Sequence, residues 1–303
     1  MQMFKRTMQM LFLAVCFTTA VASQAMAAKE IVIGGKNYTE QYLLTELSKQ
    51  LLESKGFAVT VKNGVGSSIA RQALETGMVD LYFEYTGTAY TVYFKQSDPA
   101  VMNDSQKAYD YVKAQDAPKG LTWLNRAPLN NTYTLMMRKS VVEAENIRTI
   151  SDLGERYKKN KKAHILAVNA EFWERPDGIK KLMKVYGFRV SAASIKKMDV
   201  GITYLALKNK QVDVAMGYST DGRIAAFDLV NLDDDKHFFP VYNPAPVARQ
   251  EILKKYPEIE AIMNSMTEKL TAEEMMALNM KVDVDHQSVT DTATAWLKAN
   301  NLL

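Results

Sequence analysis

The chain has 303 residues, 47% of them hydrophobic and 24% charged, with a formal net charge of +4 at pH 7 and a single cysteine. Removal of a leader carrying Lys5 and Arg6 and no acidic residue lowers the charge to +2 (4 − 2), which leaves no basic footprint for nucleic acid. The same cut takes Cys16 away and so excludes disulfides, thiolate chemistry and cysteine-ligated metal.

The first predicted element is that leader. Residues 1–27 run from Lys5 and Arg6 through an apolar stretch to Ala25-Met26-Ala27, the pattern of a secretory signal peptide with an A-x-A cleavage site. Leu13-Ala14-Val15-Cys16 has some likeness to a lipoprotein cleavage box, but Val15 is bulky where a small residue belongs, so a lipid anchor is the lesser expectation. No later segment reaches the roughly 20 apolar residues of a membrane span. A soluble exported protein in the periplasm is expected. Its 276 residues (303 − 27) are many for one core and point to two lobes.

Strand-like and helix-like periods then alternate: strand 31–33, helix Thr39–Ser54, strand 58–61, helix 68–75 and strand Leu81–Tyr85, a βαβαβ reading with a parallel sheet. Asn37 and Glu40 have capping-box spacing at the start of the first helix, Leu43, Leu44, Leu47, Leu51 and Leu52 share one side, and Gly56 stands where it should stop. Lys36 directly precedes the helix N-terminus, whose free N–H groups and partial positive charge make an anion site there.

Residues 79–94, VDLYFEYTGTAYTVYF, concentrate aromatic side chains around a Thr-Gly-Thr turn. Tyr85 ends a strand, and in open parallel α/β sheets ligands bind at that edge. Tyr82, Phe83, Tyr90 and Tyr93 are read as ordinary packing.

A second series follows, with strand 164–168, helix 178–185, the segment 194–198, a helix near Leu205 and strand 212–216. Ala73-Leu74-x4-Val79-Asp80-x4-Tyr85-Thr86 matches Ala206-Leu207-x4-Val212-Asp213-x4-Tyr218-Ser219 at a constant offset. If the match is structural, Tyr85 and Tyr218 face each other across one cleft. From Ile252 onward the pattern is helical. The run Lys158-Lys159-Asn160-Lys161-Lys162 reads as a solvated loop.

Catalytic motifs are missing. His164, His237 and His286 are far apart with no metal-ligand spacing, Gly34-Gly35 belongs to neither a Walker A nor a GxGxxG motif, and Gly217-Tyr218-Ser219 lacks the spacing of a nucleophile elbow. No cofactor is expected.

Taken in order, GGKNYTEQYLL, FEYTGTAY, NNTYTL, EFWERPDG, KNKQVDVAMGYSTDGRI and DDDKHFFPVYNPAPV resemble the substrate-binding proteins of osmoprotectant ABC importers, which capture glycine betaine, proline betaine, choline or carnitine. The resemblance implies an α/β, bilobal type II periplasmic-binding-protein fold with two interlobe crossovers and a helical C-terminal segment. On that plan residues 28–130 begin lobe 1, 131–222 form lobe 2 and 223–303 return to lobe 1.

It also implies a tyrosine cage for a quaternary ammonium at Tyr85, Tyr133, Tyr218 and Tyr242. Lys36, Arg175 and Thr88 would hold a carboxylate, and the Asn131 carbonyl would touch the methyl groups. A quaternary nitrogen has no N–H to donate, so negative ring faces are the means of binding it. Partners implied are the small ligand and the permease and ATPase of an importer, with the protein itself a monomer.

Two expectations follow from the chemistry. Cage rings should contact ligand more than core, so truncating them should spare stability. Lys36 and Arg175, if otherwise unpaired, should favour glycine betaine over choline at least ~30-fold, about 2 kcal/mol. A choline or ergothioneine receptor of the same family is the alternative, and an exported enzyme or ligand sensor on the same scaffold a more distant one.

Overall fold

A computed structural model describes residues 29–303; the expected signal peptide and Cys16 lie outside them. Ten strands form two five-stranded sheets. The first contains β1 (Lys29–Lys36), β2 (Phe57–Val65), β3 (Leu81–Tyr85), β4 (Leu121–Trp123) and β10 (Pro244–Arg249) in the order β2-β1-β3-β10-β4. The second contains β5 (Tyr133–Arg138), β6 (Leu166–Val168), β7 (Ile195–Lys197), β8 (Val214–Tyr218) and β9 (Leu229–Asn231) in the order β7-β6-β8-β5-β9.

The sheets share one plan. In the first, β1 lies parallel to β2 and β3 while β10 runs antiparallel to β3 and β4. In the second, β6 lies parallel to β7 and β8 while β5 runs antiparallel to β8 and β9. The repeat read between positions 73–86 and 206–219 is therefore structural: β3 and β8 hold the same place in their sheets, and each ends in its tyrosine.

Hydrophobic pattern explains the layers. The helix Thr39–Ser54 buries Leu43, Leu44, Leu47, Leu51 and Leu52 against Ile31 and Ile33 of the first sheet. Met263, Met266, Met275, Leu278, Trp296 and Leu297 of the C-terminal helices complete that core. A separate core gathers Leu135, Leu153, Leu166, Leu182, Val214 and Met216 around the second sheet.

Two details depart from expectation. The second lobe does not end at 222, because β9 pairs with β5 through Met136, Met137 and Arg138; the chain returns only between β9 and β10. The predicted capping box does not form either. Tyr38 is the N-cap, its side chain caps nothing, and Glu40 turns inward to other partners.

The two segments that cross between sheets are tied side by side. Asn131 N–H donates to the Tyr242 carbonyl at 3.0 Å, Tyr242 N–H to Asn130 Oδ1 at 2.7 Å, and Asn243 Nδ2 to the Leu129 carbonyl at 2.6 Å. Thr86–Thr88, expected as a turn, instead opens a helical segment after β3 that runs on through Ala89–Tyr93 and packs on the second of them. A Cβ at Gly87 would stand 2.6 Å from the Val241 carbonyl oxygen and 2.7 Å from the Tyr242 ring. Gly87→Ala should thus lower stability by ~1–3 kcal/mol, read from urea denaturation; an unchanged midpoint would mean that the crossover yields to the added methyl.

Candidate functional site

Lys36, Tyr85, Thr88, Asn131, Tyr133, Arg175, Tyr218 and Tyr242 all line one cavity between the sheets, together with Tyr38, Ser67 and Glu171. The fold brings them there from separate stretches. Lys36 and Tyr85 end β1 and β3, Tyr133 begins β5, Tyr218 ends β8, and Arg175 caps the short helix Ala170–Glu174. Asn131 and Tyr242 belong to the two crossovers.

The aromatic rings are close to one another. Tyr133 lies 5.1 Å from Tyr218 and 5.6 Å from Tyr242 by ring centroids, and Tyr38 lies 5.0 Å from Tyr218 and 6.4 Å from Tyr85. They leave a volume of about 20 Å³, roughly enough for one water. A group the size of trimethylammonium does not fit this volume unless the rings separate.

Both expected clamp cations sit over these rings. The Arg175 guanidinium is 5.2 Å from the Tyr133 centroid and 5.9 Å from that of Tyr242, and Lys36 Nζ is 5.1 Å from that of Tyr85. Neither cation is unpaired. Lys36 Nζ donates to Glu84 Oε1 at 2.6 Å, with side-chain exposures of 2% and 0%. Glu84 Oε2 also accepts from the Tyr82 and Tyr93 hydroxyls at 2.8 Å each. Those two tyrosines, read as packing, instead hold the counter-ion of Lys36.

Arg175 makes a two-pronged bond with Asp177, Nε to Oδ1 at 2.7 Å and Nη2 to Oδ2 at 2.6 Å, and Nη1 reaches Glu171 Oε1 at 3.2 Å. Burial works against ionising Asp177 and Glu171. Although burial is the largest single influence, the Arg175 charge together with the hydrogen bonds the two carboxyls accept outweighs it and leaves both below their ordinary values of 3.8 and 4.5.

Contacts also join the lobes directly. Ser67 Oγ, at the start of the helix Ser67–Glu75, donates to Glu171 Oε1 at 2.6 Å. Thr91 Oγ1 stands 2.7 Å from Asp177 Oδ2, and Thr88 Oγ1 lies 3.4 Å from Arg175. Arg223, following β8, reaches Asp283 of the C-terminal helix Ala272–Asp283 at 3.2 Å. A wider cavity of about 410 Å³ lies next to the cage and contains Asp199, Asp221 and Asp283 in its walls; Tyr38, Asn131, Glu171 and Tyr218 border both spaces.

Sequence reasoning missed Tyr38, Ser67, Glu171, Glu84, Glu40 and Asp177. Some of them carried a signal. Tyr38 sits two residues after Lys36 in GGKNYTE, and Asp177 two after Arg175 in ERPDG. Glu84 lies beside Tyr85 in FEYTGTAY, but its pairing with Lys36 spans 48 positions, and Ser67 carried no signal, its partner Glu171 being 104 positions away.

Three comparisons bear on this geometry. Residues 29–299 match the family described as the substrate binding domain of ABC-type glycine betaine transport system. The chain is similar to the glycine-betaine-binding protein of Pseudomonas aeruginosa, with 37% identity over 98% of this chain and 96% of that one. It is likewise similar to the carnitine transport binding protein OpuCC of Listeria monocytogenes, with 34% identity over 96% and 92%. Among solved structures, one titled as a glycine betaine/carnitine/choline ABC transporter aligns with a TM-score of 0.71 and 31% identity, over 90% of this chain and 99% of that chain.

Burial revises the expectation that the cage rings spare stability. Tyr85, Tyr133 and Tyr242 are buried, while Tyr218 is half-buried. Tyr133 also stacks on Phe172 at 4.8 Å and faces Phe239 at 6.1 Å. Tyr133→Ala should therefore cost ~3 kcal/mol of folding free energy, and Tyr218→Ala no more than about 1 kcal/mol. Chemical denaturation of the two variants separates the cases; a small loss for Tyr133→Ala would remove it from the core.

Proposed function

Because the chain belongs to the family of substrate-binding domains of ABC-type glycine betaine transport systems, we propose that it is a periplasmic receptor for a zwitterionic quaternary ammonium solute such as glycine betaine. It would deliver that solute to the permease and ATPase of an importer and would not transform it. The observation that carries this reading is the convergence of Tyr85, Tyr133, Tyr218 and Tyr242 with Lys36 and Arg175 around one interlobe cavity.

The chemistry supports it. Tyrosine faces attract a cation that cannot donate a conventional hydrogen bond, each contact contributing ~0.5–2 kcal/mol. Arg175 and Lys36 offer positive charge for the carboxylate at the other end, with Thr88 beside Arg175, whose two-pronged face is already taken by Asp177. Tyr38 closes the cage toward the wider cavity. Closure of the lobes through Ser67–Glu171 and Thr91–Asp177 is then the signal the permease reads.

Pairing of the clamp changes the expected selectivity. Lys36 has Glu84, and Arg175 has Asp177 and Glu171, so choline would not leave two buried cations without counter-charge. Its hydroxyl loses only the charge-assisted hydrogen bonds of the betaine carboxylate, worth ~1.5–3 kcal/mol each before competition from the resident carboxylates. The structure thus favours a second reading, a receptor that also accepts choline.

Titration calorimetry should show glycine betaine binding about tenfold more tightly than choline, or ~1.4 kcal/mol, with the solute recovered unaltered. No binding of either would sink the receptor reading, and turnover would replace it with catalysis. Arg175→Ala should weaken both solutes, in contrast to a loss confined to betaine, because it strands Asp177 as a buried charge at a cost of ~3–5 kcal/mol. Ser67→Ala, which removes one interlobe hydrogen bond, should raise the betaine dissociation rate by about threefold to tenfold. Stopped-flow release measures it, and an unchanged rate would exclude that bond from closure.

A further inference from the structure

The cage tyrosines differ in what stands behind their hydroxyls. Tyr85 donates to Glu40 Oε1 at 2.7 Å, and Tyr242 donates to Asp177 Oδ2 at 2.9 Å. Among the described residues, the hydroxyls of Tyr133 and Tyr218 donate to no carboxylate, although the Glu171 charge acts on both from a greater distance. Two hydroxyls are thus hydrogen-bonded to a buried anion and two are not.

Glu40 is the one of the two with no cation among its partners; burial pushes its carboxyl above the ordinary value of 4.5, and the hydrogen bonds it accepts oppose that rise. Its Oε1 accepts from Tyr85 and from Asn131 Nδ2 at 2.9 Å, and its Oε2 from Thr220 at 2.7 Å and Asn279 Nδ2 at 3.4 Å. Four donors and no cation surround it. Asp177, by contrast, already shares its charge with Arg175.

A phenol that donates to a carboxylate gains electron density on oxygen, which the ring shares, so its face becomes more negative and holds a cation more tightly. Burial of both partners in a low dielectric strengthens the effect. Burial and the adjacent anion also keep the proton on the phenol of Tyr85, so it remains the donor.

We propose that Glu40 is a specificity-determining residue that acts through Tyr85, raising the cage's preference for a positive charge over a neutral group of the same shape, with Asp177 doing so more weakly through Tyr242. This rests on the receptor reading above. It differs from a merely structural role for Glu40, which would affect charged and neutral ligands alike.

The test uses glycine betaine and 3,3-dimethylbutanoate, in which carbon replaces the quaternary nitrogen while the shape and the carboxylate remain. The ratio of their dissociation constants isolates recognition of the charge. In the protein without its leader, Tyr85→Phe and Glu40→Gln should reduce this ratio about threefold to tenfold, and Tyr242→Phe by less. Tyr133→Phe, whatever it does to either affinity, should keep the ratio. Equal changes in Tyr85→Phe and Tyr133→Phe, or equal weakening of both ligands in Tyr85→Phe, would overturn the inference. If 3,3-dimethylbutanoate competes in none of these proteins, betaine affinities decide, and equal losses in those two variants overturn it. Absence of betaine binding to the unsubstituted protein would instead sink the receptor reading, and this inference with it.

Discussion

The buried pair of Arg175 and Asp177 organises the site. Arg175 lies over Tyr133 and Tyr242, and Asp177 accepts from the Tyr242 hydroxyl and lies beside Thr91 of the other lobe. One ion pair of the second lobe therefore touches a cage wall, a crossover and the first lobe together. Two such charges are stable away from water only when their bonding positions are filled. Thr88 and Thr91 of the opposite lobe supply some of those partners.

A similar logic governs the first lobe. Lys36 could not be buried beside Tyr85 without Glu84, and Glu84 could not be buried without Lys36, Tyr82 and Tyr93. The cost of desolvating the cation is offset before any solute arrives. This pre-pairing makes the cavity less electropositive than its lysine and arginine alone imply. On the receptor reading proposed above, selectivity would then rest on the shape and electron density of the rings as much as on the two cations.

Placement of the site follows from the equivalence of the two sheets. β3 and β8 occupy the same position in their sheets, each beside an antiparallel strand that leads to or from a crossover. Tyr85 and Tyr218 are thereby aimed at the hinge, where Asn131 and Tyr242 already lie. On the receptor reading proposed above, a ligand held by all four tyrosines would bridge both lobes and both connections, giving a coupling between its binding and the interlobe angle. Glu40 reinforces the coupling, since its four donors come from β3, the first crossover, the turn after β8 and a C-terminal helix.

Local sequence determined those features that rest on local physics. The leucine stripe of Thr39–Ser54, the alternation ending at Tyr85 and the ALxxxxVD repeat are short-range patterns, and each forms the element it predicts. That the eight expected positions share one cavity was legible because their motifs are compact and resemble those of a family. Tertiary structure alone decided which charges meet. Lys36 and Glu84 are 48 positions apart, Ser67 and Glu171 104, and Glu40 and Asn279 239. No periodicity links residues at such distances. For the same reason the capping-box reading of Glu40 failed: a side chain at a helix start is offered a local N–H, but four buried donors from elsewhere in the fold compete for it and win. The lobe boundary likewise moved from 222 to beyond β9, because a three-residue strand has too little pattern of its own and exists by virtue of the neighbour it pairs with.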